Sequence, residues 1–205
     1  MQRIQDVGTP AATPATPLDR FARHLSGFGH PFVVVPCSVA AISILRGDAP
    51  HAAASVAALF IAMTVAVVVG VKAGRFNDFD VSERSRRPGF YVLIIGGTVA
   101  LGFWLRDEPE ALGACVVAAA VLVVCGVINR WMKPSLHAAF SLYAVGLWGA
   151  WSIAAGLAAI PVAAAIAWSR IRLHRHTPRE VVVGTGIGLV AASAILMLAA
   201  GVGIR

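Results

Sequence analysis

The sequence predicts an all-α, polytopic integral membrane protein: a helical bundle with six to seven transmembrane segments. Hydrophobic residues make up 58% of the chain and charged residues only 13%, whereas soluble domains carry about 25% charged residues. Mean hydropathy is +0.78, and the apolar residues form long runs separated by short polar loops. A chain of 205 residues has room for one compact bundle and no large additional domain.

Residues 1–27 are predicted to be a polar tail, disordered or lying on a surface, ahead of a transmembrane domain formed by residues 28–205. The start of this tail is rich in Pro, Thr and Ala and lacks the apolar core of a signal peptide. The first apolar run after it, Pro31–Leu45, is short and contains Pro36. It is therefore either a weak spanning segment or a half-inserted helix, which leaves the count of crossings at six or seven.

The remaining apolar runs follow one another regularly along the chain. Single crossings are predicted for four of them: Ala52–Val71, Gly89–Leu105, Ala111–Ile128 and Val181–Ile204. The run Ala138–Trp168 is too long for one crossing of about 20 residues. We expect it to break near Gly156–Pro161 into two short helices, which brings the loops before and after it to the same side of the membrane.

The basic residues stand in the loops between these runs. The net charge of +7 would suit a nucleic-acid-binding protein, but this placement indicates membrane topology and an anionic ligand instead. Of the 17 Lys and Arg residues, all but Arg46, Arg106 and Arg205 fall on one side of the predicted membrane. By the positive-inside rule, that side is predicted to face the cytoplasm.

Small residues within the apolar runs are interpreted as packing residues. The cysteines lack the spacing of metal ligands: Cys37, Cys115 and Cys125. The glycines of the last run superficially match a nucleotide-binding pattern: Gly184, Gly186 and Gly188. No strand precedes these glycines and they lie within hydrocarbon, so packing against a neighbouring helix is the preferred interpretation.

The loop Ser169–Glu180 is the most informative stretch for function. It places four arginines, two histidines and a glutamate at the edge of hydrocarbon, where ionisable groups are costly unless they are paired or used. A basic loop that fixes topology and contacts lipid head groups is one interpretation. The other rests on the spacing: Ser169-Arg170, five residues, His176, three residues, Glu180. This pattern resembles the third signature of the type 2 phosphatidic acid phosphatase family, which also includes vanadium haloperoxidases.

The resemblance implies a role for each matching residue. His176 would be the nucleophile that takes a phosphoryl group onto its imidazole, and Arg170 would bind the phosphate oxygens. Glu180, where the family usually has Asp, would fix the tautomer of His176. The residue chemistry agrees, because a neutral imidazole near pH 7 is a competent nucleophile and a neighbouring carboxylate raises its basicity.

A second signature lies in the loop before Ala138–Trp168. Lys133-Pro-Ser-Leu-His137 resembles the Pro-Ser-Gly-His pattern of the family, with Leu136 at the glycine position. The resemblance implies that His137 is the general acid for the leaving oxygen and that Ser135 helps to hold the phosphate. Histidine suits proton transfer to such a leaving group because its pKa lies near neutrality.

The first family signature, Lys, six residues, Arg-Pro, is matched only in part. Arg87-Pro88 fits, but Asp80 stands at the lysine position, as in a prokaryotic branch with the pattern Asp-x3-Arg-x2-Arg-Pro. Arg84 and Arg87 lie three residues apart, on one helical face, and are the predicted phosphate ligands of this stretch. Lys72 or Lys133 would supply the missing ammonium group, and the spacing does not decide between them.

Taken together, the resemblance implies a lipid phosphatase of the bacterial inner membrane that works through a phosphohistidine, without metal or other cofactor. Its substrate would be a lipid phosphate, such as phosphatidic acid, phosphatidylglycerol phosphate, a polyprenyl diphosphate or a polyprenyl-phosphoryl sugar phosphate. Two alternatives stay open: a non-catalytic lipid-phosphate-binding protein, and a phosphotransferase to another lipid or sugar. The sequence does not decide oligomeric state, and a homo-oligomer is compatible with it.

One further motif suggests a magnesium-dependent intramembrane prenyltransferase. Asn77-Asp-Phe-Asp80 is similar to the aspartate-rich magnesium motifs of those enzymes. They need a second aspartate-rich loop, and the only other acidic cluster, Asp107–Glu110, is predicted to lie on the opposite side of the membrane. The phosphatase interpretation is therefore preferred.

Overall fold

The computed structural model describes residues 16–47, 50–81 and 83–201. Within these ranges the chain forms eight α-helices and one short 3-10 turn, Arg84–Arg86, and no strand. The helices are α1 (Pro17–Phe28), α2 (Pro31–Arg46), α3 (Pro50–Lys72), α4 (Arg87–Trp104), α5 (Pro109–Ile128), α6 (Leu136–Trp151), α7 (Ile153–Arg172) and α8 (Pro178–Gly201). The predicted all-α architecture is confirmed.

Five helices, α3, α4, α5, α7 and α8, are long and apolar enough to cross a membrane. The pair α1 and α2 passes the same test as one unit, although the two helices are bent by 60° where they meet. Helix α6 is also apolar but has only 16 residues. The outer surface of the bundle is apolar, with Val92 74% and Met197 75% exposed, as contact with lipid tails requires. The chain is a polytopic membrane bundle.

The predicted tail is only partly covered by the structure. Residues 1–15 lie outside the described residues, whereas Pro17–Phe28 forms α1, which begins with a capping box between Thr16 and Asp19. Ala22 and Ser26 are buried, and Phe21 is 58% exposed on another face of the helix. The run Pro31–Leu45 that follows forms α2 without interruption, with Pro36 inside it.

Prolines mark the beginnings of the helices. The first turn of a helix tolerates proline because its backbone N–H would have no partner there. Six of the helices begin in this way: Pro17, Pro31, Pro50, Pro88, Pro109 and Pro178. Helix α2 ends at Gly47, whose φ of 70° is a left-handed conformation that glycine adopts without strain.

The long apolar run folds into two helices as predicted, but the predicted position of the break is wrong. The chain turns at Ser152, which is extended (φ −156°, ψ 124°), and not near Gly156–Pro161. Glycine at this corner serves close packing: a Cβ added to Gly156 would lie 2.7 Å from the Cα of Gly149. The two helices approach closely just beyond their turn, so the glycines mark the contact and not the break.

Helices α6 and α8 pack closely through small residues. A Cβ added to Gly146 would lie 2.6 Å from the Cα of Ala192, and one added to Gly188 would lie 2.6 Å from the carbonyl oxygen of Ala139. Gly184 faces the backbone of Ser135 at the start of α6. Gly186 has open space around it, so the predicted packing role holds for two of the three glycines. This contact fixes the start of α6 beside the start of α8.

Candidate active site

His176 lies in the loop between α7 and α8, and its ring is buried. The Nδ1 atom is 3.2 Å from Oε2 of Glu180 in the first turn of α8. The same carboxylate accepts the backbone N–H of Thr177 at 3.0 Å, and the Thr177 hydroxyl accepts the N–H of Glu180. This reciprocal cap holds the glutamate side chain back over the histidine, within hydrogen-bond reach of its Nδ1.

The imidazole of His176 is neutral at physiological pH. Burial, together with the positive charges of Lys133 and Arg170, lowers its pKa to about 3. Because Nδ1 faces a carboxylate, that atom carries the proton, and the lone pair of the neutral ring is left on Nε2. This is the protonation state that a nucleophilic histidine needs.

His137 is the second residue of α6 and is also buried. The N-cap of this helix is Ser135, whose hydroxyl accepts the N–H of Ala138 at 3.4 Å. The N–H of Ser135 in turn donates to the carbonyl oxygen of Glu180 at 3.1 Å. The two histidine-bearing loops are therefore joined through their backbones, and both histidines line the same cavity.

Arg170 lies in the last turn of α7 and connects the candidate site to the N-terminal part of the chain. Its guanidinium is buried: Nη2 donates to Oδ2 of Asp80 at 2.7 Å, and Nη1 donates to the hydroxyl of Ser26. Nη1 also lies 3.4 Å from Nε2 of His137. The remaining donor, Nε, is buried without a hydrogen-bond partner among the described residues. A buried unsatisfied donor is rare in proteins and suggests a missing acceptor.

The two predicted arginines of the first signature lie in different places. Arg87, at the start of α4, is buried and lines the cavity; it donates from Nε to the carbonyl of Val81 at 2.9 Å. Arg84 belongs to the 3-10 turn, is exposed and donates to the carbonyl of Trp131 at 2.8 Å. The structure therefore places Arg87 at the cavity and Arg84 outside its wall.

Lys133 lies between α5 and α6, close to His176. Its ammonium donates to the carbonyl of Arg175 at 2.9 Å, and its positive charge is the largest electrostatic influence on His176. Burial, reinforced by the charge of Arg87, lowers the pKa of Lys133. Of Lys72 and Lys133, Lys133 is thus the one that lies beside His176.

His30 is a residue at this site that the sequence analysis missed. It caps α2, its Nδ1 accepts the N–H of Phe32 at 3.2 Å, and its Nε2 lies 3.6 Å from Oδ1 of Asp80. Its ring also meets that of His137 edge-on, with centroids 5.0 Å apart. The available signal was a histidine directly before a helix-starting proline, on the same side of the membrane as the other two histidines.

Burial lowers the pKa of His30 to about 4, although the charge of Asp80 works in the opposite direction. Burial also opposes ionisation of Asp80 itself. The electrostatic interactions with His137 and Arg170, together with the hydrogen bond from Arg170, outweigh that effect and hold the pKa of the Asp80 carboxyl well below its usual range. Asp80 is therefore a carboxylate at neutral pH, held between Arg170 and His30.

Side chains of His30, Asp80 and His137 come close enough together to suggest a metal site, since their ligand atoms lie within 4.8 Å of one another. The hydrogen bonds favour a different interpretation. Nδ1 of His30 accepts a backbone N–H, so in the neutral ring Nε2 carries the proton and has no lone pair for a metal. The Arg170 guanidinium, bonded to Asp80, already supplies the positive charge at this position.

The acidic residues of the magnesium-type motif do not form a common site with the second acidic cluster. Asp80 lines one end of the cavity beside Arg170, and Asp107 lines it near the opposite ends of the helices. Asp78 lies 3.6 Å from Arg175, and the Asn77 amide oxygen accepts the N–H of Glu83. This separation argues against a pair of facing aspartate-rich loops.

The residues that meet at this end of the bundle come from five separate segments. Those that line the cavity are His30, Asp80, Arg87, His137, Arg170 and His176.

Comparison of the chain with models of known protein families, with curated proteins and with solved structures found no match. The function is therefore argued from the geometry of this site.

Proposed function

We propose that the protein is an integral-membrane lipid phosphatase that removes a terminal phosphate through a phosphohistidine intermediate. The observation that carries the proposal is the cavity wall shared by two buried histidines and two buried arginines. A neutral nucleophile, a second imidazole and two guanidinium groups are the parts that metal-independent phosphoryl transfer requires. The family resemblance of the three loops agrees with this set.

In the first step, the Nε2 lone pair of His176 forms a bond to phosphorus while the bond from phosphorus to the leaving oxygen breaks. His137, protonated once the phosphate anion lies beside it, gives its proton to that oxygen, and the lipid alcohol or phosphate leaves. In the second step, water attacks the phosphohistidine, its proton passes to His137, and the phosphorus–nitrogen bond breaks. Orthophosphate is released and both histidines return to their starting states.

The phosphate would lie against Arg87 and Arg170. Guanidinium groups bind equatorial phosphate oxygens through paired, charge-assisted hydrogen bonds. The Nε atom of Arg170 is buried without a hydrogen-bond partner among the described residues, and a phosphate oxygen would give it one. The lysine position of the family signature is taken by Asp80, and Lys133 is our candidate for the missing ammonium.

We place the protein in the inner membrane of a bacterium, with the site on the cytoplasmic face. The loops around the site hold most of the lysines and arginines, and loops rich in these residues face the cytoplasm in membrane proteins. A cytoplasmic site would favour lipid phosphates that are biosynthetic intermediates over carrier lipids released outside the cell.

The test is release of inorganic phosphate from a panel of lipid phosphates by purified protein in detergent. His176→Asn should abolish release, and vanadate should block it in the unchanged protein. His174→Asn is the matched control: His174 is exposed, and its φ of 53° is a conformation that asparagine tolerates, so activity should stay unchanged. Full activity of His176→Asn, or strict dependence on magnesium, would contradict the proposal.

A non-catalytic role in binding lipid phosphates is the second candidate, and Asp80 is the observation that favours it. Its carboxylate already accepts a hydrogen bond from Arg170 and lies 3.6 Å from Nε2 of His30, both near the proposed phosphate position. This candidate predicts saturable binding of lipid phosphates without turnover, unchanged in His137→Ala. A screen for phosphorylated acceptors would separate hydrolysis from transfer to another lipid or sugar.

A further inference from the structure

The cavity that begins at the candidate site extends far into the bundle. It has a volume of about 480 Å³, and its wall includes both Arg87, which begins α4, and Leu105, which follows the end of that helix. At a rise of 1.5 Å per residue these two positions lie roughly 27 Å apart. The hydrocarbon core of a bilayer is about 30 Å thick, so the cavity runs through most of the membrane.

The middle of this cavity is apolar. Its wall there is built by side chains from six helices, including Val39, Met63, Ile94, Leu122, Phe140 and Ile195. Three hydroxyl groups interrupt the apolar wall. Thr98 donates to the carbonyl of Ile94, Tyr143 donates to the carbonyl of Ala114, and Ser43 lies one turn before Arg46. A wall of this kind suits hydrocarbon better than water.

The two ends of the cavity are polar and differ from each other. At the site end, the wall carries Arg87 and Arg170 beside the histidines. At the far end, Arg46 is held by Glu110 at 2.6 Å, and both residues belong to the wall. A molecule that fits this cavity has an anionic head and one long apolar chain, and the ion pair lies where the chain would end.

We propose that one hydrocarbon chain of the substrate lies inside this cavity, with its phosphate at His176 and its tail directed toward the Arg46–Glu110 pair. This inference rests on the proposed function and deepens it. The substrate is a phosphate ester of a long, linear prenyl or alkyl chain that is taken into the bundle. The depth of the cavity sets an upper limit on the chain that fits.

Three alanines of α5 allow a direct test. Ala118 lines the middle of the cavity and Ala111 lines it near the far end, whereas Ala120 is exposed on the outer surface. Ala118→Phe should block the middle of the cavity. It should reduce kcat/KM for hexadecyl and geranylgeranyl phosphate at least about tenfold, with little effect on octyl and geranyl phosphate. Ala120→Phe adds the same ring to the lipid-facing surface and should leave the whole series unchanged.

The depth at which a phenyl ring is added to the cavity should determine the longest chain that is still hydrolysed well. Ala111→Phe should affect only the longest chains of the series, because the ring would lie deeper. Equal effects of Ala118→Phe on short and long chains, in protein with an unchanged melting temperature, would overturn the proposal, as would no effect on either. If this variant does not fold, Ala118→Leu replaces it in the same comparison.

A binding measurement separates failure of this inference from failure of the proposed function. Thermal stabilisation by hexadecyl phosphate and by octyl phosphate is measured without turnover. If no phosphate is released from any ester, the phosphatase proposal fails, but hexadecyl phosphate should still stabilise the unchanged protein more than octyl phosphate does. Loss of that difference in Ala118→Phe supports the cavity as the chain site. Persistence of the difference in that variant shows that the chain binds outside the cavity and overturns the proposal. Comparison of the prenyl and alkyl series then identifies the type of chain.

Discussion

Arg170 joins three separate segments of the chain at the candidate site. Its guanidinium contacts Asp80, Ser26 and His137, which come from the loop before α4, from α1 and from α6. Only 3% of Arg170 is exposed, and a buried charge is very unfavourable unless an opposite charge lies beside it. Asp80 supplies that charge through an ion pair of 2.7 Å, so Asp80 stabilises the buried arginine.

Replacing Asp80 with asparagine should therefore destabilise the protein. Removing one partner of a buried ion pair typically costs about 3 kcal/mol, because the remaining charge is left uncompensated. The measurement is thermal unfolding in detergent with and without inorganic phosphate. A bound anion should restore part of the loss, so phosphate should stabilise Asp80→Asn more than the unchanged protein.

The control for this prediction is Glu83→Gln, which breaks an exposed ion pair. Glu83 lies 2.9 Å from Arg86, and both side chains are well exposed. Exposed pairs contribute roughly 0–1 kcal/mol, so this variant should unfold near the temperature of the unchanged protein and show no extra response to phosphate. An equal response of both variants to phosphate would contradict the role assigned to Asp80.

Among the helices, the pair α6 and α8 positions the two histidine-bearing loops. Ser135 and Glu180 are bonded through their backbones, and Gly184 and Gly188 allow α8 to lie directly against α6. Without a hydrophobic driving force between helices in lipid, such close contact between small residues is a main source of association. The distance between His176 and His137 therefore depends on small residues of α8 that lie farther along the helix than the site itself.

Gly188→Ala tests this dependence. The added Cβ would meet the backbone oxygen of Ala139 at 2.6 Å, so the helices must separate, and overpacking of this kind typically costs about 1–3 kcal/mol. Gly186→Ala, two residues before Gly188 on the same helix and with open space around it, should be neutral or stabilising, because alanine favours helix by up to about 1 kcal/mol over glycine. Melting temperatures of the two variants are compared in detergent, and equal destabilisation would contradict the packing assigned to α8.

On the scale of the whole molecule, ionisable groups are concentrated at one end of an apolar bundle. Two histidines in the loops of that end are buried and neutral, with pKa values of about 4 for His30 and about 3 for His176, against an ordinary value of 6.5. An unfolded chain binds protons at these positions in a pH range where the folded protein does not. Folding stability is therefore coupled to pH.

The lowered pKa values of His30 and His176 determine whether stability rises or falls with pH. Because the folded protein binds fewer protons than the unfolded chain between about pH 4 and 6.5, stability should fall as the pH is lowered through that window. Each such histidine should contribute up to about 1.4 kcal/mol per pH unit. Asp80 does not reverse this trend within the window, since the stabilisation from its lowered pKa is lost only at more acidic pH.

Melting temperatures between pH 5 and 8 check the prediction. His30→Gln should flatten the dependence on pH, because one of the two histidines is removed. His24→Gln, on the exposed face of α1, should leave the dependence unchanged. A protein equally stable at pH 5 and pH 7 would show that these histidines are accessible to protons in the folded state.

The order of the candidate site residues along the chain could be predicted from the sequence because their motifs are local. The spacing from Arg170 to His176 and Glu180 is set within one loop, and a single helical turn then brings Glu180 back to the imidazole. Arg84 illustrates the limit of such reasoning. Arg84 and Arg87 are three residues apart, which predicts a common helical face. The chain instead forms a 3-10 turn at Arg84–Arg86, and the two side chains have different partners.

By itself, the sequence determined the membrane-bundle class and most of the helices, because the length of an apolar run and the charges at its ends act locally. Only the tertiary structure decided the turn at Ser152, the presence of His30 and Ser26 at Arg170, and the cavity that runs through the bundle. These features depend on how closely helices distant in sequence can approach. That approach is set by small residues and buried ion pairs whose partners no local pattern identifies.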